Sequence, residues 1–587
     1  KVISDLGNFY RHKARYAEAE PLLQQALQIR EEVLGTNHPM YVQSQEDLAL
    51  LHWKQKDFTT SISLYKTVME KTLDFINSYF APMSEAEKTR YWDMLAPRFQ
   101  RFYNFALDAA SSDKGILKDM FECRTATKGI LLSSTRKISE SISNSGNQQL
   151  IDDYTNWIDH KEQLTKLYAY SKQDLKEQAV NIDSLEANVN SMEKKISKNS
   201  KEFADFYFAG KIKFNAIQNQ LKGDEALVEI IRLQQFEQGF TDDCRYIGLV
   251  ATKDKSQPEI VVLDKGNDLE VKHARTYRVM MKSKGNDVQS YTNFWEPFEK
   301  ELSGKKTIYV SLDGVYNQVN LNTLKKTGND YLIKKYDFIL LSNPRDIMAS
   351  NKNGKSVGDK NAAVIGFPNY GAGNIAPLPA TKKEVEGVGG QLKNSGYAVA
   401  ELMQQNATEK NLKSAKYVKV LHIATHGYFL KDVVKPSWPL GVHSDYAKDN
   451  VLLRSGLMLT GASNADKLIP GLDNSNNGII TSYEAMNLDL KGTNLVVLSA
   501  CETGLGEVKA GEGVYGLQRA FLVAGADAII MSLWKVDDAA TQELMNIFYA
   551  NWIKGGDKQK AFRDAQVQLM TKFKEPLYWG AFVMMEN

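Results

Sequence analysis

The hydrophobic period of this 587-residue chain changes once, near residue 224, and that change limits the fold more than any other feature. Before it, apolar residues recur at three- and four-residue steps, the spacing of one helix face. After it come short apolar, β-branched runs: "ALVEII", "YIGLVA", "EIVVL", "TIYVSL", "DFILLS", "AAVIGF", "KVLHIA", "NLVVLS" and "DAIIMSL". Helical stretches and turns separate them. Continuous apolar runs alternating with helices predict a largely parallel sheet covered on both faces. The chain therefore reads as multidomain: N-terminal all-α helical repeats and a coiled-coil arm, then a C-terminal α/β domain.

The helical part opens with a repeat. Leu6, Gly7, Tyr10, Tyr16, Ala19, Leu22 and Ala26 return 42 residues later as Leu48, Ala49, His52, Phe58, Ser61, Leu64 and Val68. Small residues at such a period mark stacked helical hairpins, which bind peptides or other domains and carry no chemistry. Two copies need a cap, supplied either by the helices that follow or by repeats upstream of Lys1. Farther on, Leu175, Ala179, Ile182, Leu185, Val189, Met192 and Ile196 form a heptad seam, read as an antiparallel hairpin with Leu164 and Leu167 on the other arm. "SNKNGKSVGDKN", residues 350–361, is the expected linker inside the α/β region. The domain reading is 1–75 repeats, 76–222 helical arm, 223–350 a first α/β half, and 351–587 a second.

Bulk properties remove several function classes. With 73 basic and 71 acidic residues the formal charge is +2, which gives no electrostatic case for direct nucleic-acid binding or for an anionic membrane. The longest apolar stretch, Ala520 to Trp534, contains Asp527 and is too short to span a bilayer. Cys123, Cys244 and Cys501 lie far apart without CxxC spacing. That argues against a disulfide framework or a zinc site and fits a reducing, cytoplasmic compartment.

Chemistry is expected beyond the carboxyl ends of parallel strands, where loop amides and helix N-termini converge. "KVLHIATHGYF" stops at His426 and Gly427, and "NLVVLSACETG" stops at Cys501. A thiol and an imidazole on neighbouring strand tips are what thiolate catalysis needs: the imidazolium lowers the thiol pKa, and the ring later protonates the leaving amine. The backbone N–H groups of Gly427 and Cys501 are the candidate oxyanion donors. His422 shares the strand and reads as a satisfied core histidine. His443 lies in a loop, "KPSWPLGVHSDY", that could fold over the cleft. "GEGVYG" fits a dinucleotide fingerprint but does not open off a strand, so its glycines are read as shaping the loop behind the nucleophile. Cys123 and Cys244 lack a strand-end histidine and read as structural. Asp538 reads as the N-cap of a helix beginning near Ala539.

"HIATHGYF", "NVLLRSGLMLTG", the stretch from "VVLSACETGLGEVKAGEGVYGLQRAF" to "SLWKVDDAATQELMNIFY", and "PLYWGAFVM", in this order, resemble the CHAT domain. This caspase-like, separase-related domain is fused in bacteria to tetratricopeptide repeats, which "YAEAEPLLQQALQIREEVLGTNHP" resembles. The resemblance implies a cysteine endopeptidase with His426 and Cys501 as dyad, no metal or organic cofactor, and a degenerate caspase-like half over 223–350 supporting an active half over 351–587. It also implies a specificity pocket for a basic side chain at Asp538, with Asp537 as the adjacent alternative. Trp534 is expected to line the substrate groove, and Glu502, beside the nucleophile, joins the candidate pocket. By analogy the repeats receive an activating or inhibiting protein partner in antiphage defence, such as a CRISPR effector complex, and the substrate is a protein such as a gasdermin-like pore former. "SACETG" departs from the caspase-proper signature, so aspartate specificity is not expected. The rival readings are a non-catalytic repeat and caspase-fold scaffold, and a thiol enzyme that leaves peptide bonds uncut.

Overall fold

The computed structural model describes residues 1–80, 82–199, 212–350, 360–431, 442–448, 450–463, 477–509 and 511–587. The expected linker at 350–361 lies almost wholly outside them.

Helices Val2–His12, Tyr16–Leu34, Pro39–Lys54 and Phe58–Phe80 form two stacked hairpins, one repeat apart as the 42-residue period requires. The small residues permit the close approach. A Cβ on Gly7 would sit 2.8 Å from Leu23. Ser61 takes its place by donating to the Ala49 carbonyl at 2.8 Å. Ala19 and Leu23 of the first hairpin pack on Leu48 and Leu51 of the second. The long helix Glu85–Ala109 follows, started by a capping box of Ser84 and Glu87. Its Arg98 and Arg101 reach the fully buried Glu46 of the second repeat at 2.8 and 2.7 Å. The later helices thus close off the repeats.

The heptad seam does not run as one helix. Lys172–Glu177 is a short helix of its own, Ala179 takes a left-handed φ of 57°, and the next helix begins at Ile182. The "QAVN" stretch breaks the seam because the Ser171–Asp174 capping box starts a one-turn helix that ends at Gln178. What remains is helix Gln148–Leu167 packed against Ile182–Asn199, with Val189 and Ile196 buried and Leu185 exposed.

The nine predicted runs are all strands. In chain order they and their additions are β1 Glu225–Phe236, β2 Phe240–Thr252, β3 Glu259–Leu263, β4 Thr307–Ser311 and β5 Asp337–Leu341 in the first half. The second half holds β6 Asn361–Pro368, β7 Ala398–Gln404, β8 Val420–Ala424, β9 His426–Phe429, β10 Ser455–Met458 and β11 Ile479–Thr481. It continues with β12 Leu495–Ser499, β13 Glu507–Lys509, β14 Gly513–Tyr515, β15 Ala528–Ser532 and β16 Phe582–Glu586. Among the described residues eleven strands make one sheet in the order β3-β2-β1-β4-β5-β16-β15-β12-β8-β6-β7. The sheet is mixed: β1, β2 and β3 run antiparallel, and β16 is antiparallel to β15 but parallel to β5. The last strand therefore joins the two α/β halves. β9, β10 and β11 form a small second sheet, and β13 with β14 a hairpin.

The helices dock on the first half through buried charge. Glu229 in β1 is fully buried and accepts from Arg124 at 2.7 Å and from Lys128 at 2.9 and 3.0 Å. Arg124 also reaches Asp313 at 2.9 Å, and Lys128 reaches Ser311 at 2.6 Å. Such a cluster holds only while every member is paired. Glu229→Ala leaves two buried cations short of their partner and should lower stability by about 3–5 kcal/mol. The check is the urea midpoint of the α/β domain, followed by the fluorescence of its buried Trp295 and Trp579.

Candidate active site

β8 and β12 lie side by side in parallel, with Ala424 opposite Ser499. His426 and Cys501 each follow two residues later, so they leave the sheet at the same carboxyl edge from strands about 4.8 Å apart. The Thr425 N–H extends the ladder by one bond, to the Ser499 carbonyl at 3.3 Å. The chain then swings into β9, and Gly427 comes up against the nucleophile segment. A Cβ there would stand 2.8 Å from the Cys501 carbonyl oxygen and 3.0 Å from Thr503. Only glycine allows this approach without a shift.

The turn after β12 is held from beneath. Glu502 adopts a left-handed φ of 57°. The Ser532 hydroxyl donates to the Ala500 carbonyl at 2.5 Å, and the Gly504 N–H donates to the Ser532 carbonyl at 2.8 Å. The end of β15 thus fixes the turn that presents Cys501. Cys501 and Glu502 are half-buried, whereas Thr503 is buried and its hydroxyl donates to the Leu498 carbonyl at 3.3 Å.

Burial pushes the Cys501 thiol above its ordinary pKa. The Val536 backbone and the Lys535 ammonium oppose that shift, while Asp538 and Glu502 reinforce it. The imidazole of His426 has a backbone partner: Nε2 lies 2.8 Å from the Ala376 carbonyl. A carbonyl only accepts, so Nε2 carries the hydrogen and the neutral ring keeps its base capacity at Nδ1. The Tyr370 ring lies 5.3 Å from the imidazole. Its hydroxyl accepts from the His426 N–H at 3.3 Å and shares a hydrogen bond with Thr425 at 2.9 Å. Burial pushes this phenol up to about 12, with Asp538 adding to the shift and the hydrogen bonds to Thr425 and the His426 N–H opposing it. Tyr370, Ala376 and the Val536 amide were not found from sequence, because they sit on loops after β6 and β15 without any local pattern.

The two aspartates divide their roles differently from the sequence expectation. The helix begins at Asp538, not Ala539, and Asp537 is the N-cap, accepting the Ala540 N–H at 2.9 Å. Asp538 is thereby released from capping. It lies exposed at the surface, its carboxyl held above the usual range by partial desolvation and by Asp537, with His426 pulling the other way. Trp534 does not line an open groove. It is 5% exposed, its indole N–H donates to the Leu577 carbonyl at 3.1 Å, and its ring meets Tyr277 of the first half edge-on at 6.3 Å. The tryptophan is an inter-half core residue because the segment after β15 brings it against Tyr277 of helix Ala274–Ser283 in the first half.

The other histidines and cysteines lie apart from the dyad, and His443, expected in a loop over the cleft, turns towards the arm instead. His422 is fully buried between Glu384 at 3.1 Å and Tyr549 at 3.3 Å. His443 caps a short helix at Ser444, and its N–H donates to the Tyr168 carbonyl, so it faces the arm. "GEGVYG" forms β14 and the turns flanking it, with Gly511 and Gly513 at φ of 81° and 80°. Cys123 and Cys244 are buried. Among the described residues no group of three or more metal-ligating side chains is assembled, and no helix is long and apolar enough to cross a membrane.

Helical repeats joined to a two-halved α/β domain, with a cysteine and a histidine on adjacent strand ends, define a repeat-bearing CHAT protein. The chain belongs to the CHAT-domain family, whose model matches residues 289–587, and the tetratricopeptide-repeat model matches residues 2–71. Tetratricopeptide repeat protein 28 of Homo sapiens is 25% identical over 308 residues, 48% of this chain, and its Mus musculus counterpart 26% over 302. The alignments span only 12% of those proteins' length. Among solved structures, the Arg-specific cysteine proteinase gingipain R aligns with a TM-score of 0.30 and 10% identity, covering 52% of this chain and 69% of that one. The Saccharomyces cerevisiae separase–securin complex aligns with a TM-score of 0.36 and 9% identity, covering 100% and 47%.

The electrostatics give a signed expectation for the thiol. With its pKa above the ordinary value, Cys501 alkylates slowly by iodoacetamide at pH 7 and faster as pH rises through the thiol range. Lys535→Met should slow labelling at a fixed pH, and Asp538→Asn should speed it. Opposite signs in mass-spectrometric rates for the Cys501 peptide would sink this electrostatic picture.

Proposed function

We propose that this protein is a cysteine endopeptidase in which Cys501 attacks and His426 serves as base and then acid, under the control of the helical-repeat module. The observation that carries the reading is the β8–β12 register, which sets residues 426 and 501 at one sheet edge with Gly427 against the nucleophile segment. Membership of the CHAT family supports a protease-type site. The neutral Nδ1 of His426 takes the thiol proton as Sγ attacks the scissile carbonyl. The N–H groups of Gly427 and Cys501 hold the oxyanion, and the imidazolium then protonates the leaving amine. Water completes hydrolysis of the thioester. With Asp537 engaged as a cap, Asp538 keeps its carboxylate free and within electrostatic reach of both His426 and Cys501, and it selects Arg or Lys before the scissile bond.

The raised thiol pKa and the Ala376 bond of His426 describe a resting site. Binding of a protein partner to the repeats, in the cytoplasm, releases it. In the setting the family resemblance suggests, antiphage defence, the partner is a CRISPR effector complex and the substrate a protein such as a gasdermin-like pore former.

A peptide library presented to the purified protein tests the reading. Slow basal cleavage after Arg or Lys is expected from the resting protein over a long incubation. It should vanish in Cys501→Ala, fall by about 10²–10⁴ in His426→Ala, and lose its basic preference in Asp538→Ala. A Cys501→Ala protein that still cuts, or an unchanged preference in Asp538→Ala, defeats the corresponding role. If no peptide is cut while an electrophilic probe still labels Cys501, a thiol enzyme with another acceptor replaces the protease. If neither occurs, the interaction scaffold remains.

A further inference from the structure

Each strand of the dyad is held by a buried contact that comes from outside the active half. On the cysteine side the hairpin of β13 and β14, which follows the nucleophile turn, is pinned at Gly511. Its N–H donates to Asp313 at 3.1 Å, and its carbonyl accepts the Gly129 N–H at 2.9 Å. Asp313 stands just past the end of β4 in the degenerate half and is fully buried. Its other oxygen takes Arg124 at 2.9 Å and the Arg232 N–H at 3.0 Å. Gly511 fits only because it lacks a side chain: a Cβ would lie 2.9 Å from Arg124, and its φ is 81°. One hydrogen-bonded point thus ties the helical module, the degenerate half and the nucleophile hairpin together.

On the histidine side the contact is Lys166, near the end of helix Gln148–Leu167. Its ammonium lies 2.6 Å from Glu484 and 3.0 Å from Glu409, both buried. Glu484 caps Thr481, the last residue of β11, and Glu409 accepts the Gly478 N–H just before β11 at 2.7 Å. β11 pairs with β10, and β10 with β9, which begins at His426. Both ends of the outer strand of that small sheet are therefore fastened to one lysine of the arm.

We propose that Asp313 and Lys166 are positioning residues of the dyad, fixing from the degenerate half and from the arm the spacing at which Cys501 and His426 rest. This deepens the proposed function by naming the contacts through which helical and catalytic parts communicate. Neither residue touches the reacting atoms. The arrangement they hold is the one in which the imidazole bonds Ala376, so loosening either brace lets the ring and the thiol come together.

The test measures iodoacetamide alkylation of Cys501 in the full chain at fixed pH, by mass spectrometry, and needs no substrate or activator. Lys166→Met and Gly511→Ala should each speed labelling by about twofold to thirtyfold, the effect of a coupling of roughly 0.5–2 kcal/mol. Lys166→Arg should restore the slow rate. In a His426→Ala background the gain should disappear, because loosened burial alone would not depend on the imidazole. No change, slower labelling, or a gain that survives His426→Ala overturns the proposal. Should Lys166→Met fail to fold, Gly511→Ala, which removes no buried charge, decides alone. Peptide cleavage is scored separately: a His426-dependent gain without any cut peptide refutes the protease and leaves the braces, and the reverse result does the opposite.

Discussion

The proposed chemistry of this protein depends on the parallel pairing of β8 with β12. Side-chain direction in a strand alternates with period two, so slipping that register by one residue would turn the strand-end side chains to the opposite face. The register is guarded by burial: all five residues of each strand are buried, and the sheet continues on both sides through β6 and β15. A central pair with apolar residues on both faces cannot slide without exposing its neighbours. The two strand ends then deliver a thiol and an imidazole to one edge, and Gly427 lets the start of β9 pack closely against the Cys501 segment.

That edge is supported by parts of the chain that carry no chemistry. β16, the last strand, returns between β5 and β15, so the first half completes the same sheet instead of standing apart. The helices reach the sheet through paired buried charges, Arg124 and Lys128 on Glu229 and Lys166 on Glu409 and Glu484. Contacts of this kind specify geometry more than they add stability, because desolvation offsets much of the attraction. They are costly to half-break, which suits a junction between modules that must hold one arrangement until displaced as a whole.

The strands were legible because each buried strand is a compact apolar run, and nine runs became nine strands. The additions, β7, β9, β10, β11, β13, β14 and β16, are either short, partly polar or at an edge, where composition carries little signal. Ala179 escaped notice because a single left-handed residue breaks a helix without disturbing the heptad count. Asp537 and Asp538 were exchanged as cap because helix starts are uncertain by a residue or two. Trp534, expected in a substrate groove along a strand edge, is instead buried against Tyr277, some 250 positions away in the chain.

Local pattern determined the helical repeats, the switch to an α/β domain, and the two strands that end in His426 and Cys501, since periodicity and strand-end residues are properties of short windows. Tertiary structure decided how the candidate pair stands: which acceptor holds the imidazole, what surrounds the thiol, which aspartate is free, and which distant residues contact each strand. Those depend on loops meeting across the sheet edge and on charges buried between modules, and no short window contains both partners of such a contact.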